Sequence, residues 1–284
     1  MKKNLILLAA FFVAFTPSQN ALAHISYTNR NFGTLVIGAP ASSINNQTMS
    51  SAFGWADATD SDWGDSHRGR FFRFTLSTTA SVMVSVQRNS SGTGTLGTFL
   101  PAISVYSGLA QGTVTVNQTL GNGTTITRTE ALAHDGSALS VSARGSAEGS
   151  LQTLANFSIG NDPTYEVAGD STSGVLIPAR LASFTYIGHA ADGTSDNFGN
   201  VPGLNGDGNA DGFVTATLND LAAGDYSLFV GGANYAAQLT ETGPTYPTYG
   251  VDVSVQAVPE PSTWALIALG FGFLAWRILH RKTV

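Results

Sequence analysis

Apolar and polar residues alternate with a period of two along most of the interior of this chain. Residues 71–76 read Phe-Phe-Arg-Phe-Thr-Leu and residues 80–86 read Ala-Ser-Val-Met-Val-Ser-Val. That is the spacing of a strand that buries one face and wets the other. The habit recurs at 102–106, 113–116, 139–143, 183–187, 213–218, 226–230 and 251–255. Clusters of Gly, Asn, Asp and Ser separate these segments, and short strands at such density predict an all-β sandwich or barrel. The expected fold is a mostly antiparallel β-sandwich. No interior segment sustains a helical period, and 145–156 leaves room for one short helix at most. No repeat of fixed period occurs either, which disfavours a solenoid or propeller.

The two ends break this pattern. At the N-terminus Lys2 and Lys3 precede an apolar stretch over 5–15 and a small-residue site at Ala21-Leu22-Ala23, the order of a secretory signal peptide. Cleavage by signal peptidase is expected after Ala23, leaving His24 first. At the C-terminus Val258-Pro259-Glu260-Pro261-Ser262 leads into an apolar run from Trp264 to Trp276, followed by Arg277, His280, Arg281 and Lys282. The prolines cannot continue a sheet or a helix interior. Thirteen apolar residues make roughly 20 Å of helix, short of the ~30 Å hydrocarbon core. Thr263, Ile278 and Leu279 therefore join the expected membrane span while Arg277 snorkels; a buried core helix is the alternative.

That C-terminal order resembles the PEP-CTERM sorting signal of Gram-negative bacteria, in which a Pro-Glu-Pro motif, a short membrane helix and a basic tail close the chain. The resemblance implies processing by an exosortase, transient anchoring in the inner membrane and transfer to the cell surface, usually in species that make exopolysaccharide. It implies an address and no activity. The expected organisation is a signal peptide over 1–23, a β-sandwich body over 24–257 and the sorting signal over 258–284.

Setting the ends aside changes the charge balance. The stretch 24–258 keeps 8 arginines, no lysine and 18 acidic residues, a net charge of −10. Binding nucleic acid requires basic surface that displaces phosphate counterions, so that class is excluded. The chain has no cysteine, and an exported protein without disulfides depends on its apolar core. Roughly 235 residues suffice for that in one all-β domain.

Three groups of residues offer chemistry. Asp207-Gly208-Asn209-Ala210-Asp211-Gly212 matches the first half of a calcium loop, whose oxygen ligands alternate around a sharp glycine turn. The twelfth position is Leu218 rather than glutamate, so Asp220 or a backbone carbonyl would have to complete the shell; a plain Gly/Asn/Asp turn is the alternative. Asp57, Asp60, Asp62 and Asp65 crowd one loop beside Trp55, Trp63 and His67. Trp55 and Trp63 with Asp62 would suit a glycan, ring against sugar face and carboxylate against hydroxyls. A solvated acidic loop with the rings packed on the sandwich is the alternative. A cation or the nearby Arg68 and Arg70 would relieve the carboxylate repulsion. Finally, a mature N-terminal His24 could chelate copper through its amino and imidazole nitrogens, with His67, His134 or His189 completing a brace.

Nucleophile motifs are missing: no cysteine, no G-x-S-x-G and no H-E-x-x-H occur, and a glycosidase would need two carboxylates across a cleft. Two further segments, 70–106 and 221–232, resemble the jelly-roll modules of secreted bacterial proteins, including pre-peptidase C-terminal domains. In those a late G-x-Y-x-L-x-V strand pairs with an earlier F-x-F-x-L strand. The reading that results is a non-enzymatic surface protein with a structural or adhesive role in an exopolysaccharide matrix. Metal binding, by the calcium loop or by copper at His24, and carbohydrate-active catalysis are the alternatives.

Overall fold

A computed structural model describes residues 25–55, 63–110, 113–119, 123–131, 149–159, 182–198, 204, 206–241 and 245–259, with positions 269, 271, 273, 274, 276 and 277 of the C-terminal segment. Fourteen strands account for most of it: β1 (Asn31–Leu35), β2 (Ser42–Met49), β3 (Trp63–Asp65), β4 (Arg70–Leu76), β5 (Ala80–Asn89), β6 (Pro101–Ser107), β7 (Thr113–Thr119), β8 (Thr125–Ala131), β9 (Ser150–Gln152), β10 (Phe157–Ile159), β11 (Ala182–Ala191), β12 (Phe213–Leu221), β13 (Gly224–Gly232) and β14 (Tyr249–Val258). One short helix, α1 (Tyr235–Thr240), starts at Asn234, whose side chain accepts the Ala237 amide.

The strands form a six-stranded sheet in the order β1-β4-β13-β6-β11-β10 and a four-stranded sheet in the order β12-β5-β14-β2, while β3-β9 and β7-β8 are separate two-stranded ribbons. Pairing is antiparallel except between β1 and β4. Alternation dictates what lies between the main sheets. Phe72, Phe74 and Leu76 of β4, Ile103 and Val105 of β6, and Tyr226, Leu228 and Val230 of β13 meet Val82, Val84 and Val86 of β5, Val214 and Ala216 of β12, and Val251, Val253 and Val255 of β14 in one core. The sandwich read from the period of two is the observed fold. The pairing implied by the jelly-roll resemblance is observed too: Tyr226 lies opposite Phe74 and Leu228 opposite Phe72, with the Phe74 and Tyr226 rings stacked at 5.0 Å.

The six-stranded sheet is buried on both faces. Ala102, Tyr106, Phe184, Phe71 and Phe229, with Phe157 of β10, point away from the first core into a second one, closed by Trp63 and Leu151 of the β3-β9 ribbon and by Ile25, Trp55, Phe198 and Leu204 from the connections. Burial on both sides explains why β6 (Pro-Ala-Ile-Ser-Val-Tyr-Ser) and β13 (Gly-Asp-Tyr-Ser-Leu-Phe-Val-Gly-Gly) read as almost continuous apolar runs. The cover depends on Gly232, where a Cβ would stand 2.3 Å from the Ala52 backbone. That close approach lets Trp55 donate its amide to the Gly232 carbonyl at 2.9 Å.

Two segments add to the sequence reading. The stretch 149–159, part of which left room for at most one short helix, holds β9 and β10; its apolar residues, Leu151 and Phe157, are spent on the second core. The polar segment Ser-Ser-Ile-Asn-Asn-Gln-Thr-Met forms β2, which alternation alone did not reveal. It is an edge strand, open on one side, with a bulge at Asn46 (φ 55°) that blunts the edge. The expected strand at 139–143 lies outside the described residues.

Phe72 is fully buried between the sheets, and replacing it with alanine leaves a cavity that adjacent strands cannot fill. Phe72→Ala is expected to lower unfolding stability by about 3–5 kcal/mol, measured as a reduced urea midpoint at unchanged slope.

Candidate functional site

The glycan reading of the tryptophans is overturned by their burial. Trp55 is 0% and Trp63 4% exposed, so neither ring offers a face to a sugar. Trp55 instead donates its indole N–H to the Ser104 hydroxyl (2.9 Å), which donates to the Thr153 carbonyl (2.7 Å). The chain satisfies the side-chain polar atoms that Trp55 and Ser104 bring into the second core, as a buried network requires. Asp62, with Asp57 and Asp60, lies outside the described residues.

Asp65 at the end of that loop is tied down. Its Oδ1 accepts the His67 amide (2.8 Å) and faces His67 Nδ1 (3.0 Å), and Arg68 Nε stands 3.4 Å from Oδ2. Burial pushes the Asp65 carboxyl up, but the His67 hydrogen bonds and the Arg68 charge outweigh it and hold the group below the usual carboxylate range. The expected relief by arginine therefore falls to Arg68, whose guanidinium also covers the Tyr246 ring at 3.4 Å. Arg70 turns elsewhere, to the Gly69 carbonyl and the Ser50 hydroxyl.

In the candidate calcium loop the carboxylates are occupied by backbone amides. Asp207 Oδ1 accepts from Asn209 (3.0 Å) and Gly193 (3.2 Å), and Asp211 Oδ1 accepts from Phe213 (3.0 Å). These are the bonds of a turn. Asp220 cannot complete a shell with them. It sits at positive φ in a bulge near the far end of β12, about 26 Å from Gly212 at ~3.3 Å per strand residue. The residue that does join the loop was not apparent from sequence. Asp192, fully buried, accepts the Asp211 amide at 3.0 Å and the Gly212 amide at 2.7 Å. Burial pushes its carboxyl up to about 6, the Asp207 and Asp211 charges add to the rise, and the two amide bonds oppose it. Its only sequence signal is the Asp-Gly-Thr turn that follows the apolar end of β11.

His24 and His134 lie outside the described residues. His67 is engaged by Asp65, and His189 Nδ1 shares a hydrogen bond with the Tyr186 hydroxyl. A bulge between Tyr186 and Gly188 turns these two side chains to one side, and the His189 ring lies 5.8 Å from Trp55. Burial lowers the pKa of His189, which keeps the ring neutral at neutral pH. Among the described residues no group of three or more His, Cys, Asp or Glu side chains is placed to hold a metal ion.

The remaining site is the C-terminal exit. β14 pairs with β2 through Val255 and with β5 through Val258, and the chain leaves the sheet at Pro259. Beyond it, Leu269, Phe271, Phe273, Leu274, Trp276 and Arg277 are helical. The five apolar side chains are 54–70% exposed, so the body does not bury them as it would a core helix. No helix among the described residues is long and apolar enough to cross a membrane. Residues 257–282 match the model of the PEP-CTERM protein-sorting motif. The chain carries a PEP-CTERM sorting motif. This motif marks the protein for exosortase processing and export to the cell surface.

The PEP-CTERM match covers the tail alone. No curated protein matches the chain in sequence. Among solved structures, the chain is similar to CorA, a surface-associated copper-binding protein of Methylomicrobium album BG8, at 12% identity and a TM-score of 0.41, over 82% of this chain and 98% of that one. It is also similar to MopE, a secreted protein of Methylococcus capsulatus in which an oxidised tryptophan facilitates copper binding, at 15% identity and a TM-score of 0.37, over 80% and 87% of the two chains. Likeness at this level transfers no ligand to the present chain.

Two outcomes are expected. With Trp264 and Trp276 replaced by phenylalanine, the emission of the buried Trp55 and Trp63 should resist iodide quenching and stay unchanged on titration with oligosaccharides. The second concerns Asp192. Its native carboxyl keeps a proton up to about 6, while an unfolded aspartate releases it near 3.9. The native state thus binds more protons within that window, and this contribution to stability falls as pH rises across it. Thermal midpoints compared between about pH 4 and pH 6 should show that fall in the parent chain and a smaller one in Asp192→Asn.

Proposed function

We propose that this protein is a non-enzymatic, surface-delivered β-sandwich with a structural or adhesive role in an extracellular polysaccharide matrix. The observation that carries the reading is the PEP-CTERM motif placed directly on the last core strand. It supports a three-part organisation: a signal peptide over 1–23, a body over 24–257 and a sorting tail over 258–284. The body is packed from its first described residue, since Ile25 is buried two residues after the expected signal peptidase site at Ala23. Tyr27 is fixed by the Ser227 hydroxyl (2.7 Å) and by the Ala110 amide, which donates to its oxygen (3.1 Å). At the other end the apolar segment over 264–279 is read as the inner-membrane anchor that an exosortase severs, with Arg277, Arg281 and Lys282 on the cytoplasmic side. The acidic, lysine-free body suits a hydrated polymer rather than nucleic acid, whose phosphates repel it.

Matrix association is tested by passing the purified exported protein over immobilised exopolysaccharide from its own host. Retention well beyond that of an inert protein of equal size and charge is expected, without release of oligosaccharides. Elution with the inert protein would remove the matrix role and leave sorting alone.

A further inference from the structure

Strand direction gives the sandwich a membrane end and a free end. β14 runs from Tyr249 to Val258, with Gly250 opposite Asn89 and Val258 opposite Ser81. The tail therefore leaves at the end where β4 turns into β5, β12 turns into β13, and β1 connects to β2. The β1–β2 connection at that end is Val36-Ile37-Gly38-Ala39-Pro40-Ala41, six residues without a charge. Val36 is 66% and Ile37 43% exposed, and Gly38, Pro40 and Ala41 are exposed beside them. This loop is fastened to the strand that carries the tail: Gly38 donates its amide to the Ala257 carbonyl (3.1 Å) and Gln256 donates its side-chain amide to the Ala39 carbonyl (3.0 Å). Ala222 and Ala223 in the β12–β13 turn are exposed at the same end. Among the described residues of these connections the charged groups are Asp220 and Asp225. The opposite end carries Asp192, Asp196, Asp207, Asp211 and Glu241 in its connections.

Reach supplies the partner. From Val258 to Trp264 the chain advances six residues, and a proline-rich spacer at ~3.1 Å per residue spans about 19 Å. The headgroup layer occupies roughly 5–8 Å of that. While the tail is inserted, the loop over 36–41 is held within about a dozen ångströms of the headgroups by chain length alone. We propose that this loop is a membrane-contacting tip: Val36 and Ile37 enter the headgroup region of the bilayer that holds the tail, and the sandwich stands with its acidic end outward. The inference rests on the reading of the tail as a membrane anchor. The contact is apolar, since among the described residues this end offers carboxylates and no cation to an anionic lipid, so salt should not weaken it.

The native chain has no cysteine, so single-cysteine labelling is unambiguous. Ile37→Cys and Leu96→Cys place an environment-sensitive fluorophore at two sites of equal native exposure, 43% each, at opposite ends of the sandwich. Each full-length variant is reconstituted into vesicles of phosphatidylethanolamine and phosphatidylglycerol, with or without a headgroup nitroxide lipid. A blue shift and at least a several-fold greater quenching at position 37 than at position 96, unaltered by raised salt, is the expected result. Equal quenching at the two positions in protein that floats with the vesicles overturns the tip and leaves the anchor intact. Protein that does not float overturns the anchor and the tip together. A probe at position 37 that is silent in lipid and shifts only when exosortase is added makes the loop a protein contact and overturns the lipid assignment.

Discussion

The structure depends on the pairing of β14 inside the four-stranded sheet. Its residues meet β5 from Gly250 to Val258 and β2 from Tyr249 to Val255, while Val251, Val253, Val255 and Ala257 fill the core between the sheets. The partners of this last strand were made far earlier in the chain, so the first core cannot close until nearly all of the body has been synthesised. The same strand then becomes the tail. Burying Ala257 beside an exit at Pro259 couples a folded body to a sorting signal with almost no slack. A proline there ends the ladder, because it has no amide to donate.

Burial on both faces of the six-stranded sheet is the second constraint, and it explains the chemistry that the interior does not perform. Aromatic residues that look like ligand platforms in a loop are consumed as cover for the outer face: Trp55 and Trp63 close over Tyr106, Phe184 and Phe229. Serines in the middle of β6 and β13 survive burial because each has partners. Ser104 serves Trp55 and Thr153, and Ser227 donates to the Gly108 carbonyl at 2.6 Å. Removing one member of such a pair would strand the other in an apolar setting at a cost of about 1–3 kcal/mol. Without disulfides, these satisfied contacts and the two apolar cores carry the fold.

Carboxylates follow the same logic of local demand. Asp207 and Asp211 shape their turn by accepting amides, and Asp192 caps the turn from below. The burial of Asp192 makes its ionised form unfavourable near two further acids, so the loop carries a proton-sensitive group where the sequence suggested a cation. At the opposite end, the connection over 36–41 presents aliphatic side chains to solvent beside the departing tail. Among the described residues, carboxylates shape the connections at one end and the aliphatic 36–41 connection marks the other, although the strands between them share one pattern.

The strands at 80–86, 213–218 and 251–255 were legible because each has one buried face, and a period of two is the direct imprint of that geometry. The sorting tail was legible because its parts act in linear order: proline stop, apolar run, basic end. β2 was not, since an edge strand with a polar outer face borrows its place from β14 rather than from its own pattern. Nor was Asp192, whose partners lie 19 and 20 residues away. The orientation of Trp55 and Trp63 was beyond sequence as well, because alternation says how often a side is buried and not which connection covers it. The sequence by itself therefore determined the sheet-forming segments and the address. Only the tertiary structure decided that the tryptophans face inward, that Asp220 stands apart from Asp207 and Asp211, and that an apolar loop flanks the tail, because each is a contact between segments distant in the chain.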